Sequence, residues 1–199
     1  MNGVENVSRE TLDRLEVYAN ILRKWNPRIN LVAKSTIDDL WERHILDSLQ
    51  VMNHVPQNTN HLVDLGSGGG FPGLVLAIVA AESGNPSKVT MIESDQRKSV
   101  FLRTVLRETG VSAEVLTARI EEADPQNAQV ITARALADLP SLLELAERHL
   151  LPNGTAIFLK GKNWRSELAN AQEAWQFDWN EIQSKTSDEA VLLEIKGIK

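Results

Sequence analysis

The stretch Val63-Asp64-Leu65-Gly66-Ser67-Gly68-Gly69-Gly70-Phe71-Pro72-Gly73 decides the fold expected for this chain. An apolar run that contains an acid leads into five glycines within eight residues, and an apolar segment of helical length follows. Glycine tolerates positive φ angles and lets a ligand approach the backbone closely. The first turn of the following helix would offer free N–H groups. A strand, a glycine loop and a helix in this order predict a loop that binds a nucleotide cofactor; a loop rich in glycine only for tight packing is the alternative.

Strand and helix patterns alternate around this loop and predict a sheet that is buried on both faces. Short apolar runs predict strands at residues 61–65, 88–93, 113–117, 129–132 and 155–160, the last after a turn at Pro152-Asn153-Gly154. Helical spacing predicts helices at residues 71–83, 95–109 and 139–150. This alternation is typical of βαβ units and a parallel sheet. From Trp164 onward the pattern predicts a helix and then an antiparallel hairpin with strands near residues 177–185 and 190–196.

The first 60 residues follow a different pattern, with helices and no strand. Apolar residues at helical spacing predict a helix over residues 8–25, which Pro27 should close. They predict a second helix over residues 36–54, with Thr36 as its N-cap. We therefore expect a helical extension over residues 1–60 that packs on an α/β domain over residues 61–199.

Composition excludes several kinds of site. The chain has no cysteine, which excludes disulfides, Cys-ligated zinc and Cys nucleophiles, and we expect no bound metal. Its first nine residues contain no apolar h-region, and its longest apolar run is too short to span a bilayer. Neither a signal peptide nor a membrane contact is therefore expected. The net charge of −6 argues against a general nucleic-acid binder but permits a local basic face.

The acids near the glycine loop bear on which cofactor it holds. Residues 68–73 satisfy the G-x-G-x-x-G pattern, so an NAD-type cofactor has to be considered, whereas the absence of a following Lys-Ser/Thr pair excludes a P-loop. Asp64 would not help to bind a pyrophosphate, but it suits the sulfonium and ammonium groups of S-adenosylmethionine. Glu93 ends the second predicted strand and can accept hydrogen bonds from both ribose hydroxyls, or it is an ordinary strand-end acid. Asp95 can cap the next helix.

Around this loop the chain resembles the bacterial guanine-N7 methyltransferases of small-subunit ribosomal RNA, the RsmG family, formerly called glucose-inhibited division protein B. The resemblance covers nearly the whole chain. It is carried by Trp25-Asn26 with Asn30-Leu31-Val32, Arg43-His44-Ile45-Leu46-Asp47-Ser48-Leu49, residues 64–73, Glu93-Ser94-Asp95-Gln96-Arg97-Lys98, Phe101-Leu102, Ala118-Arg119-Ile120-Glu121-Glu122, Thr132-Ala133-Arg134-Ala135 and Lys160-Gly161. The chain departs from the family at Ala118, where glycine is common, and its tail after Lys185 is short.

The resemblance implies a fold and a reaction. The fold is an α/β, Rossmann-like class I S-adenosylmethionine-dependent methyltransferase, whose mostly parallel seven-stranded sheet carries an N-terminal helical extension. The reaction transfers a methyl group from S-adenosylmethionine to N7 of a guanine in 16S ribosomal RNA and leaves S-adenosylhomocysteine. We therefore expect a cytoplasmic, monomeric enzyme whose partner is the small ribosomal subunit or its 16S rRNA.

The resemblance also implies which residues surround the cofactor. The adenine should meet the backbone near Ile120 and Glu121, and Arg134 should reach the bound cofactor. Together with the loop and the acid of the second strand, the candidate cofactor residues are Gly66, Gly68, Phe71, Glu93, Ile120, Glu121 and Arg134.

The expected reaction needs little acid–base chemistry. Guanine N7 carries an exposed lone pair, so the enzyme has to supply mainly positioning and electrostatics. Without a cysteine the chain cannot methylate cytosine C5 through a Cys nucleophile. The Asp/Asn-Pro-Pro-aromatic signature of amino-group methylation is also absent, since Asp124-Pro125 continues with Gln126. On the residues alone N7, an oxygen atom or a small-molecule acceptor remain open, and the resemblance selects N7.

Polar residues of the second predicted helix and a basic segment are candidates for the substrate side. Asp47 can stabilise the charge that develops on guanine, or it can pair with Arg43 one turn away. His44 is more typical of a structural histidine than of a catalytic one. Candidate RNA contacts are Arg43, His44, Lys160, Lys162 and Arg165, with a solvated face of paired charges as the alternative. Trp164 is a candidate for base stacking, whereas Trp25 and Trp41 are expected in the core.

Overall fold

The computed structural model describes residues 7–199, and its centre is one sheet of seven strands. The strands are β1 (His61–Leu65), β2 (Lys88–Ile92), β3 (Glu114–Leu116), β4 (Ala128–Arg134), β5 (Leu150–Lys160), β6 (Asp178–Gln183) and β7 (Val191–Lys196). The α-helices are α1 (Arg9–Ile29), α2 (Asp47–Leu49), α3 (Gly73–Ser83), α4 (Gln96–Thr109), α5 (Leu139–His149) and α6 (Trp164–Ala174).

The strand order explains where a ligand can bind. The strands lie in the order β3-β2-β1-β4-β5-β7-β6. Strands β1 to β5 pair in parallel, and β7 is antiparallel to both β5 and β6. The expected mostly parallel sheet of seven strands with a C-terminal antiparallel hairpin is thus confirmed. The order reverses between β1 and β4, and the carboxyl ends of strands at such a reversal form the usual binding crevice.

The hydrophobic core lies in two layers, one on each face of the sheet. Leu62 and Val130 pack in the layer that contains α1, α3 and α4. Their strand neighbours Val63 and Ile131 pack in the layer that contains α5 and α6. Both faces of the central strands are buried because crossover helices cover a parallel sheet on both sides.

The N-terminal helical region shares the first of these layers. Leu15, Tyr18 and Leu22 of α1 are wholly buried there, together with residues of α3 and α4. Trp25 and Trp41 are partly buried against the same layer, as their apolar faces predict. The boundary expected at residue 60 stays a prediction, and residues from both sides of it share this core.

Helix α1 is longer than predicted. The sequence predicts an end before Pro27, but α1 continues to Ile29 with Pro27 inside its last turn. A proline there removes only one backbone donor, and Asn30 ends the helix in the left-handed conformation with φ 49°. Asn26 Oδ1 accepts hydrogen bonds from the backbone N–H groups of Leu31 and Val32, at 2.8 and 2.9 Å. The asparagine side chain therefore shapes the exit of the chain.

The second helical segment is not one α-helix capped by Thr36. It consists of 3-10 turns at Lys34–Thr36 and Gln50–His54, a π-helix at Trp41–Leu46 and the single turn α2. Thr36 Oγ1 donates to the Ala33 carbonyl and lies 2.9 Å from His44 Nε2, so it does not cap a helix. π-Helical turns are rare and frequent at functional sites, and this one carries Arg43 and His44.

Strands β4 and β5 are both longer than predicted. Leu150 pairs with Ala128 and Thr155 pairs with Val130, so the register shifts between these pairs. Pro152-Asn153-Gly154 therefore lies in an irregularity inside β5 and not in a turn before it. Strand β4 extends to Arg134, two residues beyond the predicted end, which brings this arginine to the carboxyl edge of the sheet.

Two further observations concern membrane-spanning helices and metal sites. Among residues 7–199, no helix is both long enough and apolar enough to cross a bilayer. Within the same range, no three His, Asp or Glu side chains are grouped as metal ligands. The signal-peptide expectation concerns mainly residues 1–6, which lie outside the described residues.

Candidate functional site

Asp64 holds the glycine loop in shape from the inside. Its fully buried carboxylate accepts hydrogen bonds from Ser67 Oγ at 2.5 Å, Gly73 N–H at 3.1 Å and Thr132 Oγ1 at 2.7 Å. Burial raises the pKa of Asp64 to about 6, although these hydrogen bonds oppose the rise. Both oxygens are thus used within the protein. The structure gives Asp64 a role in joining the loop to β4, and its expected electrostatic fit to the charged groups of S-adenosylmethionine stays a prediction.

Glu93 connects the glycine loop to the end of β2. Its Oε2 accepts from the Gly68 N–H and its Oε1 from the Asp95 N–H, both at 2.8 Å. Gly68 has a φ of 54°, in the left-handed region that favours glycine. Asp95 caps α4 through the N–H groups of Arg97 and Lys98, as predicted. The Glu93 carboxylate is therefore held rigidly beside the loop.

A cavity of about 610 Å³ lies over the glycine loop. We call it the glycine-loop cavity; its other walls come from Glu93, residues 118–121, residues 134–137 and the segment that contains Leu31 and His44. Its volume is in the range of pockets that hold small molecules. The structure brings together here every candidate cofactor residue, namely Gly66, Gly68, Phe71, Glu93, Ile120, Glu121 and Arg134.

Arg134 lies between the sheet and the N-terminal segment. Its Nε is 3.3 Å from Asp47 Oδ2, and its Nη2 donates to the Arg43 carbonyl at 2.7 Å. The guanidinium carbon is 5.8 Å from the centre of the Phe71 ring. Burial lowers the pKa of Arg134 and Asp47 opposes this, but a guanidinium stays charged in proteins. Nη1 is buried and has no hydrogen-bond partner among residues 7–199, which is an unfavourable state for a charged donor.

A second cavity, of about 870 Å³, adjoins the first. We call it the hairpin cavity, because Thr186, Ser187 and Glu189 of the β6–β7 loop line it, together with Arg43 and Asp47. Residues 134–137 line both cavities. Within this shared wall Ala135 has a φ of 52°, a strained conformation for alanine of the kind found at functional sites.

His44 places a neutral imidazole beside the glycine-loop cavity. Its ring centre is 5.0 Å from that of Phe71, and its Nε2 is 2.9 Å from Thr36 Oγ1. Burial, together with the nearby charges of Arg134 and Arg43, lowers the pKa of His44 to about 4. His44 is therefore uncharged near neutral pH, and its contacts are those of a structural residue.

Comparison with known families identifies the chain. The family model described as GidB, rRNA small subunit methyltransferase G, matches residues 11–191. The chain belongs to this family. The rRNA small subunit methyltransferase G of Ruegeria sp. (strain TM1040) is 54% identical over 194 residues, which cover 98% of this chain and 94% of that protein. The protein of the same name from Ruegeria pomeroyi is 52% identical over 193 residues, 97% of this chain and 94% of that protein.

Solved structures at lower identity share the fold of this GidB-family chain. A SAM-dependent methyltransferase from Aquifex aeolicus has a TM-score of 0.61 and 14% identity, covering 91% of this chain and 97% of that chain. TYW2 from M. jannaschii, solved in complex with AdoMet, has a TM-score of 0.55 and 13% identity, covering 76% of this chain and 75% of that chain. These likenesses confirm the expected Rossmann-like methyltransferase fold.

In this member of the GidB family, Asp47 pairs with Arg134. The alternative expectation, a pair between Asp47 and Arg43 one turn away, is wrong, because the chain is π-helical there and the Arg43 side chain is exposed. Asp47 Oδ1 accepts from Thr186 Oγ1 at 2.9 Å and from Gln50 Nε2 at 2.8 Å. Because its oxygens already have donors, the geometry favours a role in orienting Arg134 over direct contact with a guanine.

The predicted RNA residues fall into different environments. Arg43 and Lys162 are exposed at the hairpin cavity, whereas His44 lies at the glycine-loop cavity. Lys160 is nearly buried, and its ammonium binds Glu167 Oε2 at 2.5 Å and the Ala137 carbonyl at 2.9 Å. The phosphate contact expected of Lys160 is therefore wrong, because its charge is neutralised inside the protein and supports the shared wall.

Trp164, in the basic segment after β5, lies in the core and not at the surface as expected. Trp164 is 3% exposed and packs in the core layer of α5 and α6, so the base stacking expected of it is wrong. Arg165 lies over the Trp164 ring, with its guanidinium carbon 4.2 Å from the ring centre. It lines neither of the two cavities. The start of α6 turns the tryptophan inward because its first turn covers the sheet.

Sequence reasoning missed side chains that support the site from a distance. Tyr18 belongs to the apolar pattern that predicts the first helix, and its hydroxyl donates to the Gly69 carbonyl at 2.5 Å. His149 is fully buried, and its Nε2 donates to the Ile120 carbonyl at 2.8 Å. Gln50 and the β6–β7 loop bind Asp47 in a similar way. Tyr18 and His149 lie 51 and 29 residues from their partners, so no local pattern signals these contacts.

Proposed function

We propose that this chain transfers a methyl group from S-adenosylmethionine to N7 of a guanine in 16S ribosomal RNA. The relatives that are 54% and 52% identical carry the name rRNA small subunit methyltransferase G, which supports the substrate class. The observation that carries the cofactor assignment is that Arg134, which lines the glycine-loop cavity, has a buried Nη1 without a hydrogen-bond partner in the described part of the chain. A buried donor without an acceptor costs about 1–3 kcal/mol, and a ligand carboxylate would remove that cost.

The chemistry of the cavity fits each part of S-adenosylmethionine. Arg134 Nη1 would bind the carboxylate of its amino-acid part, because a guanidinium and a carboxylate form charge-assisted hydrogen bonds. Each Glu93 oxygen accepts one protein hydrogen bond and keeps a second lone pair, with which it would accept from the ribose hydroxyls. The backbone of Ile120 and Glu121 would meet the adenine, while Gly66, Gly68 and Phe71 form the floor. Bound S-adenosylmethionine supplies a methyl group attached to a positively charged sulfur.

The proposed reaction forms one bond and breaks one. The lone pair of guanine N7 bonds to the methyl carbon while the sulfur–carbon bond breaks and its electron pair stays on sulfur. The products are S-adenosylhomocysteine and a positively charged 7-methylguanine. No proton moves, so no general base is required. His44 suits this chemistry because its neutral imidazole adds no positive charge beside the cationic cofactor.

The hairpin cavity is the proposed position of the target guanine. It shares residues 134–137 with the glycine-loop cavity, so a base in one and a cofactor in the other are neighbours. Enzymes that modify a base take it out of the helical stack into such a cavity. Exposed Arg43 and Lys162 at its rim, with Arg165 on the adjoining helix, would contact phosphates. The proposal includes a cytoplasmic monomer that acts on the small subunit or its 16S rRNA.

Methyl transfer to ribosomal particles tests the proposal directly. Purified small subunits that lack this modification are incubated with the protein and methyl-labelled S-adenosylmethionine, and the rRNA is digested to nucleosides for mass spectrometry. The expected result is label in 7-methylguanosine. Label in another nucleoside, in protein or only in small molecules would overturn the N7 assignment.

Calorimetry separates the proposal from an NAD-dependent enzyme with a similar sheet. S-Adenosylhomocysteine should bind to the native protein, whereas NADH should not. If only NADH bound, the result would favour the NAD-type cofactor that the G-x-G-x-x-G pattern of residues 68–73 also allows. Binding of S-adenosylhomocysteine without any methyl transfer would instead indicate a cofactor-binding regulatory protein.

A further inference from the structure

The loop between β6 and β7 contacts Asp47 in the lining of the hairpin cavity. Thr186 Oγ1 donates to Asp47 Oδ1 at 2.9 Å, and Ser184 Oγ lies 3.4 Å from the same oxygen. Gln50 joins the two sides: its Nε2 lies 2.8 Å from Asp47 Oδ1 and 3.1 Å from Ser184 Oγ. Its Oε1 accepts from the Lys185 N–H at 3.0 Å. One oxygen of Asp47 is thus held by the N-terminal segment and the C-terminal hairpin together.

The other oxygen of Asp47 faces Arg134. The two side chains are 13% and 19% exposed, so water screens their charges only partly. Gln50 and Ser184 are buried. Among residues 7–199, Asp47 is the acid with which Arg134 forms an ion pair. The Arg43 carbonyl accepts a hydrogen bond from Arg134 Nη2. The direction of Nη1, which has no hydrogen-bond partner among these residues, therefore depends on the position of the Asp47 carboxylate.

We propose that Thr186 and Ser184, together with Gln50, are positioning residues for Arg134 and act through Asp47. The inference rests on the proposed function, in which Arg134 Nη1 binds the carboxylate of the cofactor. None of the three lines the glycine-loop cavity, so their effect on cofactor affinity is indirect. Thr186 lines the hairpin cavity, and the loop is thus the place where the substrate side of the site meets the cofactor side.

The hydroxyl of Thr186 can be removed without changing the shape of its side chain. Binding of S-adenosylhomocysteine is measured by calorimetry for the native protein, Thr186→Val and Thr186→Ser. Loss of a hydrogen bond to a charged group should weaken binding roughly three- to tenfold in the valine variant. The serine variant keeps the hydroxyl and should stay within about twofold of the native protein. Ser184→Ala combined with Thr186→Val should weaken binding further.

A second ligand separates positioning from general damage. 5′-Methylthioadenosine has the adenine and ribose of the cofactor but no carboxylate, so Thr186→Val should leave its affinity unchanged. The matched control is Thr104→Val on the exposed face of α4, whose hydroxyl donates only to the Val100 carbonyl one turn away. This control should leave both affinities unchanged. Thermal unfolding of each variant shows whether it is folded. If the double variant is unfolded, the comparison of Thr186→Val with Thr186→Ser tests the inference by itself.

A double-mutant cycle tests whether the effect passes through Arg134. Arg134→Lys keeps a positive charge but lacks Nη1, and in this background Thr186→Val should have no further effect on S-adenosylhomocysteine binding. An equal effect in both backgrounds, an equal loss of methylthioadenosine binding, or an unchanged affinity of Thr186→Val would overturn the inference. If the native protein does not bind S-adenosylhomocysteine at all, the proposed function itself fails.

Discussion

The carboxylate of Asp64 and the backbone N–H of Gly73 form a 3.1 Å hydrogen bond that closes the glycine loop from below. A Cβ at Gly73 would lie 2.5 Å from Asp64 Oδ2 and 2.8 Å from Met91 Cγ. The start of α3 can approach the buried acid only because this residue has no side chain. The last glycine of the loop thus serves packing, whereas Gly66 and Gly68 line the cavity.

Gly73→Ala is therefore expected to destabilise the fold. The added methyl group has to displace a buried carboxylate, which should lower the free energy of unfolding by about 1–3 kcal/mol. Urea unfolding followed by circular dichroism measures the change. Gly161→Ala is the control, since a Cβ there meets no atom within 4 Å, and it should change stability by less than about 0.5 kcal/mol. Equal effects of the two substitutions would contradict this account.

Asp64 should make stability fall as pH rises. Its pKa is about 6 in the folded chain, above the ordinary value of 3.8, so the folded state binds the proton more tightly than the unfolded state. Stability is then lost between about pH 4 and pH 6, by an amount of about 3 kcal/mol. Unfolding of the native chain and of Asp64→Asn is compared across this range. The stability of the native chain relative to the variant should decline with pH, and a constant difference would refute the raised pKa.

His44 should have the opposite effect on stability. Its pKa is lowered from 6.5 to about 4, so the unfolded state binds the proton more tightly. Stability is lost as pH falls from about 6.5 to 4, by up to about 3 kcal/mol. His44→Gln does not titrate and should remove this loss. An imidazole NMR titration with a midpoint near 6.5 would show that the residue is not desolvated as described.

Two ligands should distinguish Glu93 from Arg134. Glu93→Gln replaces one acceptor oxygen near the ribose by an NH2 donor. The binding of S-adenosylhomocysteine and that of 5′-methylthioadenosine should both weaken at least roughly tenfold. Arg134→Lys should weaken only S-adenosylhomocysteine, because methylthioadenosine has no carboxylate. Calorimetry measures all four affinities. Equal losses of both ligands in Arg134→Lys would contradict the assigned contact.

Activity on small-subunit particles should fall steeply with salt. Lys162 is exposed at the hairpin cavity, and removal of one phosphate contact should reduce the slope of log affinity against log salt by about 0.7–1. Lys162→Ala is compared with Lys88→Ala, whose lysine pairs with Glu114 at the amino end of β2. The control should keep the native slope. A native protein whose activity is the same at low and moderate salt would count against phosphate contacts.

The sheet and the floor of the cavity were predictable because their signals are local. Alternating strand and helix patterns identify the layers, and the residues from Asp64 to Gly73 identify the loop at the end of β1. The second helical segment was less predictable. Its apolar spacing indicates a helix over residues 36–54, but the chain forms 3-10, π- and α-helical turns in succession there. Apolar spacing does not distinguish these helix types, since the choice depends on contacts with the rest of the protein.

By itself the sequence determined the α/β architecture and the glycine loop, because strand, helix and loop preferences act over a few neighbouring residues. The family resemblance, and not these preferences, implied that Ile120, Glu121 and Arg134 line the cavity. Only the tertiary structure decided how the charged side chains pair. Arg134 pairs with Asp47, Lys160 pairs with Glu167, and Thr186 lies against Asp47, 139 residues earlier in the chain. A charged side chain pairs with an opposite charge or a polar group that the fold brings within hydrogen-bonding distance. The burial of the pair then decides how strong the interaction is. Sequence spacing records neither.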